Sequence, residues 1–426
     1  MAIRSAKKLK RFISKYQSLW SLGGNGVTAL SGLLLFVITS RRLSAIDFGL
    51  WTIFQVAAGL MDMARTGLLL PGYLQISAGQ SKKNKKTLFS AVQMIVIAVT
   101  LAQVAICVGL FQIENRSSTW STIFQYYPYL AVSSAAFTLS EWWLQSNSRF
   151  QYILILRVFS RTGTLVCVLF LATNLPSLVY VQSAVNVLTA VLSIIIWRIP
   201  VPVMPSESHR PHVKKLLSFG KYATATQVAS NLLRSSDTFI INLKLGAYAT
   251  GIFSVAAKFL EFVELPIRSL GSVLYNKLSA LANAEKYDDV RRLLRQHFIK
   301  STLLVLPVSA FLIIAAPLLI ETMSGDRYLA AVPILRIMAI YCLLIPADRC
   351  LGILLEALRR PDLNLLKVLV MLALNVVGDF IALTMSDSIT AVAASSILTF
   401  LAGVGVGFWL ITTRAFPKLN PTLHPA

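Results

Sequence analysis

Twelve apolar segments of about 20 residues divide this chain, and they constrain its fold more than any other feature. A helix of that length is needed to cross the roughly 30 Å of hydrocarbon in a bilayer. With 56% hydrophobic and 14% charged residues, the composition is also too apolar for a soluble protein. The sequence therefore predicts an all-α polytopic membrane protein with about 12 transmembrane helices. We place them at 19–39, 48–70, 88–111, 128–146, 158–173, 178–197, 218–242, 247–275, 299–320, 332–356, 364–385 and 390–412.

A polar, proline-rich stretch at 198–217 divides these segments into two sets of six. Proline favours an extended connector, so the two sets are expected to form separate bundles. Because six is an even number, both sets enter the membrane in the same direction, which predicts a parallel repeat about an axis along the membrane normal. We therefore expect an N-terminal six-helix lobe at 1–197, a cytoplasmic linker at 198–217 and a C-terminal six-helix lobe at 218–426.

Two stretches of the chain look like copies of each other. FVITSRRLSAIDFG at 36–49 and FIINLKLGAYATG at 239–251 both end on glycine and lead into an apolar segment, with one residue fewer in the second. In the second copy, Gly246 marks a hinge between two spans. The pattern indicates a duplication. The alternative is chance similarity, because membrane segments share a bias towards Ala, Val and Leu.

Basic residues in the predicted loops indicate the orientation of the chain. With the N-terminus inside, inner loops and tails hold 25 Lys and Arg residues and outer loops hold five. Cytoplasmic loops carry such an excess, so both termini are predicted to be cytoplasmic. Much of the net charge of +22 is therefore topological. It favours contact with anionic membrane lipids and gives no indication of nucleic-acid binding.

Cationic residues inside the predicted spans are the strongest functional signal. An ionised side chain at the bilayer centre costs about 2.5 to 3.5 kcal/mol on insertion scales, so such residues usually face a watery cavity or a partner. Several recur every three or four residues and share one face of a helix, as Lys367, Asn375 and Asp379 do. We predict a cationic, substrate-binding chamber between the lobes, formed by Arg65, Arg161, Arg234, Lys258, Arg268 and Lys367.

Carboxylates inside the same spans form a second group. A carboxylate within a membrane must either pair or titrate, so each is suited to coupling transport to Na⁺ or H⁺. The sequence does not choose between the two ions. The candidates for ion coupling are Asp62, Asp237, Glu261 and Asp379.

Some of these charges have a structural alternative. Three basic side chains lie near a cytoplasmic end of a span, where they would reach the membrane surface as readily as a chamber: Arg157, Lys221 and Lys367. Asp62 with Arg65, and Lys258 with Glu261, are spaced to form neutral pairs that lock helices together.

Arg234 and Arg268 have local partners of their own. Asp237 lies one turn after Arg234, so pairing would neutralise that arginine. Arg268 follows Pro266, where freed backbone carbonyls would accept its hydrogen bonds.

The segment between Leu278 and Phe298 alternates apolar residues with arginines at helical spacing. This pattern favours a cytoplasmic helix lying in the membrane interface. The alternative is a docking helix for a partner enzyme.

The chain lacks the motifs of metal and nucleotide chemistry. It has no GxxxxGK[ST] or HExxH motif, no histidine pair lies on a span, and its four cysteines fall within spans without zinc-ligand spacing. Gly403, Gly405 and Gly407 follow no strand, so close helix packing explains them better than a dinucleotide loop. The longest outer loop, 112–127, is too short for a catalytic domain. We expect no metal, no cofactor beyond a coupling ion, and no enzymatic activity.

Two motifs resemble those of a known family. RRLSAIDFGLW at 41–51 is similar to the first hairpin of the polysaccharide transporter family, within the superfamily of multidrug, oligosaccharidyl-lipid and polysaccharide flippases. SDTFI at 236–240, followed by GAYATGIFSVA at 246–256, is similar to its second-half signature. The resemblance runs through about Arg295.

The resemblance implies twelve helices in two lobes and a function in making cell-surface polysaccharides such as lipopolysaccharide or exopolysaccharide. Such a flippase moves an undecaprenyl-diphosphate-linked oligosaccharide across the bacterial inner membrane by alternating access. Its partners would be the lipid-linked oligosaccharide, membrane lipids and other polysaccharide-assembly proteins. A basic chamber suits this substrate, because arginine recognises phosphate through its planar fork.

Two other functions remain open. A multidrug or metabolite exporter on the same fold would present an acidic chamber to cationic drugs, whereas basic residues predominate here. A membrane glycan polymerase or ligase would need a larger outer loop. Fold analogy alone does not decide among them.

Overall fold

The computed structural model describes residues 17–66, 69–77, 82–114, 118–200 and 221–415. Regular structure within these ranges is helical. The α-helices are α1 (Gln17–Arg42), α2 (Ala45–Thr66), α3 (Leu69–Ser77), α4 (Lys82–Ile113), α5 (Thr119–Ser146), α6 (Phe150–Leu171), α7 (Leu175–Trp197), α8 (Lys221–Asn283), α9 (Tyr287–Ser324), α10 (Val332–Tyr341), α11 (Ile345–Ala357), α12 (Pro361–Met385) and α13 (Ile389–Leu410). Short 3₁₀ turns at Asp326–Ala331 and Cys342–Leu344 join α9, α10 and α11, and a π turn, Ile411–Ala415, ends α13.

The helices confirm the predicted multi-pass membrane protein. Within the described ranges, nine helical segments are long and apolar enough to cross a membrane, judged by length and composition. Within the described ranges, each predicted span falls on helical residues: the second lies on α2 and the start of α3, two lie on α8, and one is shared by α10 and α11. The span predicted at 158–173 starts too late. Its helix, α6, already begins at Phe150, because the polar residues near Arg157 conceal the first two turns.

A break at Gly246 divides α8 into a first arm, residues 221–245, and a second arm, residues 247–283. Gly246 has φ 82° and ψ −174°, a conformation open to glycine but strained for residues with a Cβ. The predicted hinge is confirmed. In the similar stretch at 36–49, the hydroxyl of Ser44 accepts a hydrogen bond from the Asp47 amide at 3.0 Å at the start of α2.

Gly49 and Gly251, which end the two similar stretches, lie close together. A Cβ on Gly49 would collide with the carbonyl group of Ala247 and would lie 3.2 Å from the amide nitrogen of Gly251. Gly49 therefore lets α2 pack directly against the backbone at the start of the second arm. Neighbouring Phe48 is fully buried and makes an edge contact with Tyr328, with ring centroids 5.6 Å apart.

We expect Gly49→Ala to destabilise the protein by about 1 to 3 kcal/mol, because the obstacle is backbone that no rotamer change can move aside. Gly59→Ala is the matched control on the same helix. A Cβ there meets nothing within 4 Å, so the change should be neutral or slightly stabilising. Thermal unfolding of the purified variants measures both effects. Equal melting temperatures for Gly49→Ala and the wild type would show that α2 and the second arm of α8 can move apart without loss of stability.

The described chain forms two compact units. The first contains α1, α3–α7 and α2 without its stretch Phe48–Val56. The second contains Phe48–Val56 of α2 and the helices α8–α13. In the first unit, α4 packs on α5, and α7 packs on both α5 and α6. In the second, α9 packs on α10, and α13 packs on α10, α11 and α12.

The predicted interfacial helix between Leu278 and Phe298 is wrong. Residues of this segment belong to the ends of two long helices, since α8 continues to Asn283 and α9 begins at Tyr287. The turn between them places Glu285 at φ 56°. Apolar positions such as Leu278 and Val290 are buried against α11, which explains the helical spacing without a separate helix.

Close packing accounts for two of the three glycines near the end of the chain. A Cβ on Gly403 would strike the Met371 side chain, and one on Gly407 would lie 3.1 Å from Lys367 Cδ. Gly405 faces open space. The linker predicted at 198–217, after its first three residues, and both chain termini lie outside the described residues.

Candidate functional site

A cavity of about 1030 Å³ lies within the second unit. It is bordered by both arms of α8, by α11 and by α12, and its volume is close to the upper end of the roughly 300 to 1,000 Å³ of typical small-molecule sites. Arg359 and Pro361, at the turn between α11 and α12, contribute to its lining. Its polar lining comprises Thr226, Gln227, Ser230, Asn231, Arg234, Arg268, Tyr275, Asp348, Arg349, Glu356, Arg359, Asn364 and Lys367.

Three arginines in this cavity converge on a single carboxylate. Arg234 and Arg268 each place Nη2 2.6 Å from Oε2 of Glu264, and Arg349 Nη2 lies 3.8 Å from the same oxygen. The arginine side chains are 39 to 44% exposed, whereas Glu264 is only 13% exposed. We call these four residues the arginine cluster. Three guanidinium groups against one carboxylate leave the cluster with two positive charges.

The partners of these arginines differ from the local ones expected. Arg234 does not pair with Asp237, because the two arms of α8 bring Glu264 to it from 30 residues away. Arg268 binds Glu264, one turn before it on the same arm, and so does not depend on carbonyls freed by Pro266. Both corrections have one cause: the hairpin of α8 presents a carboxylate to both arginines.

Lys367 lines the same cavity but is held by its own acid. Its Nζ lies 2.5 Å from Asp348 Oδ1 and 3.2 Å from the Asp348 carbonyl oxygen, and it is 2% exposed. Beside it, the Asn364 amide donates to Glu356 Oε1 at 2.9 Å. These bonds fix the polar side chains that α12 contributes to the cavity lining. Because Lys367 is buried and bound to Asp348, its side chain does not extend towards the membrane surface, which was the alternative considered from the sequence.

Lys258, also predicted for the chamber, lies outside the described lining of this cavity. Its Nζ lies 2.6 Å from Glu261 Oε2, which confirms the neutral pair that the sequence analysis gave as the structural alternative. Glu261 is 54% exposed, so this ion pair lies at the surface of the protein.

Asp237 lies one turn beyond Arg234 on α8, and it is close to Asp379 of α12 in the second unit. The Asn375 amide donates to both carboxylates, to Asp237 Oδ1 and, at 3.2 Å, to Asp379 Oδ2. Ser396 donates to Asp237 at 3.2 Å and Ser395 to Asp379 at 2.5 Å.

Neither Asp237 nor Asp379 has a Lys or Arg within ion-pair distance among the described residues. Two adjacent carboxylates without a basic partner repel each other unless a proton or a cation lies between them. Asp379 is fully buried, so bulk water does not relieve that repulsion. The group is chemically suited to hold H⁺ or a small cation through oxygen ligands.

In the first unit, the side chain of Arg65 is fully buried. Its Nη2 binds Asp62 Oδ1 at 2.5 Å and Ser134 Oγ at 2.9 Å. Its Nη1 donates to the Ala131 carbonyl at 2.7 Å and to Thr100 Oγ1 at 3.3 Å. The expected Asp62–Arg65 pair is confirmed. A substrate would have to displace this network to reach Arg65, and the predicted binding role stays a prediction.

The remaining predicted cation, Arg161, lies one turn after Arg157 on α6. Arg157 binds Glu141 at 2.6 Å and the Asn25 side chain at 2.7 Å. Arg161 is half-buried beside this pair, and its Nε has no hydrogen-bond partner among the described residues. The structure thus joins Arg234, Arg268 and Lys367 in one cavity and places Lys258 elsewhere in the second unit.

Sequence reasoning missed the contribution of α11. Asp348, Gly352 and Glu356 recur every four residues and line the cavity with Arg349. The same helical spacing identified the polar faces of other spans. Applied to the span at 332–356, it would have added Arg349 to the site.

Comparison with known proteins places the chain among polysaccharide biosynthesis proteins. Residues 38–333, more than half of the chain, match the family model described as "Polysaccharide biosynthesis protein". The amylovoran biosynthesis protein AmsL of Erwinia amylovora is 26% identical over 40% of this chain, and the teichuronic acid biosynthesis protein TuaB of Bacillus subtilis is 26% identical over 47%. These matches span about half the length of each relative, 47% and 41%. A putative O-antigen transporter of Shigella flexneri is 19% identical over 73% of this chain and 77% of its own.

The fold is shared with solved transporters. An inward-facing multidrug resistance MATE family transporter of the MOP superfamily superposes with a TM-score of 0.76, covering 93% of this chain and 98% of that one at 12% identity. The lipid II flippase MurJ, in an inward closed conformation, superposes with a TM-score of 0.71, covering 94% and 89% at 16% identity. At these identities the likeness establishes the fold alone.

Proposed function

Since the chain belongs to the polysaccharide biosynthesis protein family, we propose that it is a flippase for a lipid-linked oligosaccharide. The lipid carrier in this proposal is undecaprenyl diphosphate, and the membrane is the bacterial inner membrane. The names of its relatives support a polysaccharide substrate: one is a putative O-antigen transporter, and others act in amylovoran and teichuronic acid biosynthesis. The fold shared with a lipid II flippase supports translocation.

The arginine cluster carries this proposal. A diphosphate that links a lipid to a sugar has one negative charge on each phosphate, which matches the two unbalanced positive charges of the cluster. Arginine binds phosphate oxygens in pairs through its planar fork. Amide side chains of the same lining, such as Gln227, Asn231 and Asn364, supply donors and acceptors for sugar hydroxyls.

The expected orientation gives the cavity a cytoplasmic entrance. The excess of Lys and Arg in predicted inner loops predicts that the turn between α11 and α12 is cytoplasmic, together with both termini. Arg359 and Pro361 of that turn line the cavity, so a substrate assembled in the cytoplasm would enter there.

The proposal also keeps the parallel repeat of two six-helix lobes, with the linker at 198–217 between 1–197 and 218–426. Matched pairings support it: α4 on α5, α5 on α7 and α6 on α7 in one unit correspond to α9 on α10, α10 on α13 and α12 on α13 in the other. Membrane lipids and other polysaccharide-assembly proteins are its expected partners.

A multidrug exporter is the second candidate, because a MATE transporter shares the fold. Such an exporter needs acidic groups facing its cationic substrates. The cluster that dominates this cavity is cationic, so the flippase is the better supported function.

Vesicles containing the purified protein test the proposal. We expect them to translocate a fluorescent farnesyl-diphospho-N-acetylglucosamine faster than protein-free vesicles do. The rate is followed by chemically quenching the fluorescence of the probe in the outer leaflet. Efflux of a cationic dye without glycolipid translocation would favour the exporter. In cells, Glu285→Cys should react with a thiol reagent only from the cytoplasm and Asp387→Cys only from outside. The reverse labelling would overturn the orientation.

A further inference from the structure

The geometry of the arginine cluster is unusual for a structural ion pair. Arg234 and Arg268 both use a single Nη2, and both reach the same oxygen of Glu264, at 2.6 Å. A guanidinium carries five N–H donors and binds a carboxylate best through two parallel bonds. One oxygen cannot give that arrangement to two arginines, and Arg349 at 3.8 Å is still further from it. The three cations are gathered but incompletely coordinated.

Resting on the proposed function, we propose that Glu264 is a positioning residue that holds three phosphate-binding arginines together before the substrate binds, and that Arg349 is the third of them. A diphosphate then takes over the guanidinium donors that the single Glu264 oxygen leaves incompletely bonded. Glu264 itself contacts the arginines and not the substrate.

The three arginines come from different parts of the unit. Arg234 lies on the first arm of α8, Arg268 on the second arm, and Arg349 on α11. Without a counter-ion their like charges would repel, and their long side chains would spread apart. Glu264 reduces that repulsion, so less ordering remains to be done when the substrate binds.

Glu264 also sets the charge that the cavity presents. Lys367 is already paired with Asp348, whereas Asn364, which is neutral, bonds the Glu356 carboxylate. With Arg359 included, the cavity lining and Glu264 hold five basic and three acidic side chains, so two positive charges are uncompensated. With Glu264 in place, that charge matches two ionised phosphates better than one, which favours a diphosphate over a monophosphate.

Binding to the full-length protein in nanodiscs tests this inference. The probes are farnesyl-diphospho-N-acetylglucosamine and its monophosphate analogue, which differ by one phosphate. Arg349→Ala should weaken diphosphate binding about tenfold, or about 1.4 kcal/mol, and bring it close to monophosphate binding. Arg349→Lys should recover only part of the loss, because lysine lacks the planar fork. Arg336→Ala, on α10 and outside the cavity lining, should bind both probes like the wild type.

Glu264→Gln gives a result that a purely structural role would not. It should weaken diphosphate binding more than monophosphate binding, because the three arginines then repel one another and have to be ordered around the second phosphate when the substrate binds. Translocation should slow as the diphosphate is bound less tightly. Glu285→Gln, an exposed acid on the turn after α8, is the matched control and should leave both affinities unchanged.

The outcomes separate this inference from the proposed function. If the wild type binds neither probe, the flippase proposal fails. If the wild type binds the diphosphate and both Arg349→Ala and Glu264→Gln bind like it, the flippase stands and the roles of Arg349 and Glu264 are overturned. If Glu264→Gln is not monodisperse after purification, Arg349→Ala decides, since its side chain is 40% exposed and contributes little to packing.

Discussion

Replacing Arg234 by alanine is expected to reduce glycan export roughly ten- to hundredfold while the protein still inserts and folds. A charge-assisted hydrogen bond to phosphate contributes about 1.5 to 3 kcal/mol, which corresponds to that range. The side chain is 39% exposed to the cavity, so little packing is lost. Glu264 keeps Arg268 as a partner at 2.6 Å, so no buried carboxylate is left unpaired.

Arg268→Ala should have a similar effect for the same reason, and Arg→Lys at either position should export weakly. Lysine keeps the charge but loses the two-pronged geometry. Glycan at the cell surface is compared at matched amounts of membrane-inserted protein. Arg336→Ala is the control, because Arg336 also lies within a predicted span but bonds the Ile313 carbonyl away from the cavity lining. Normal export by Arg234→Ala and Arg268→Ala together would make these arginines structural.

The fold was largely predictable because its signals are local. Apolar length marks each span, and Gly246 marks the hinge because a φ of 82° favours glycine. The start of α6 was missed for the same reason. Its first turns lead into Arg157, Ser160 and Arg161, whose polarity outweighs the apolar residues in a window of fixed length.

The partners of the in-membrane charges were not predictable in the same way. The ion pairs of Lys258 with Glu261 and of Asp62 with Arg65 were predicted because the members of each pair lie three positions apart on one helix. Arg234 was misassigned to Asp237 by that same rule. Its true partner depends on how the two arms of α8 pack.

The site also depends on contacts between helices distant in sequence. Asn375 on α12 bonds Asp237 on α8, 138 residues away. Helical spacing identified Asn375 and Asp379 as a polar face but gave no sign of which helix they would meet. Only the packing of α8, α12 and α13 brings the two carboxylates together.

The second large effect is expected at these carboxylates. We predict that Asp379→Asn uncouples transport from the ion gradient, because it removes one of two adjacent acids that hold a proton or a small cation between them. Asp379 is fully buried, and its carboxylate accepts hydrogen bonds from Ser395 and Asn375. An asparagine of the same shape keeps the packing and part of the hydrogen bonding. Folding should therefore survive while the charge is lost.

Transport into vesicles under imposed Na⁺ and pH gradients measures the effect, and the ion whose gradient drives the wild type is the coupled one. Asp237→Asn should lose the response as Asp379→Asn does, because either change leaves a single carboxylate that no longer needs a cation. Glu261→Gln and Asp62→Asn test the other two candidates, whose charges are balanced by Lys258 and Arg65. The control is Asp387→Asn, an exposed acid just beyond the end of α12. A full gradient response in both Asp379→Asn and Asp237→Asn would exclude this pair as the coupling site, whereas loss of the response in Glu261→Gln alone would assign coupling to the exposed pair on the second arm of α8.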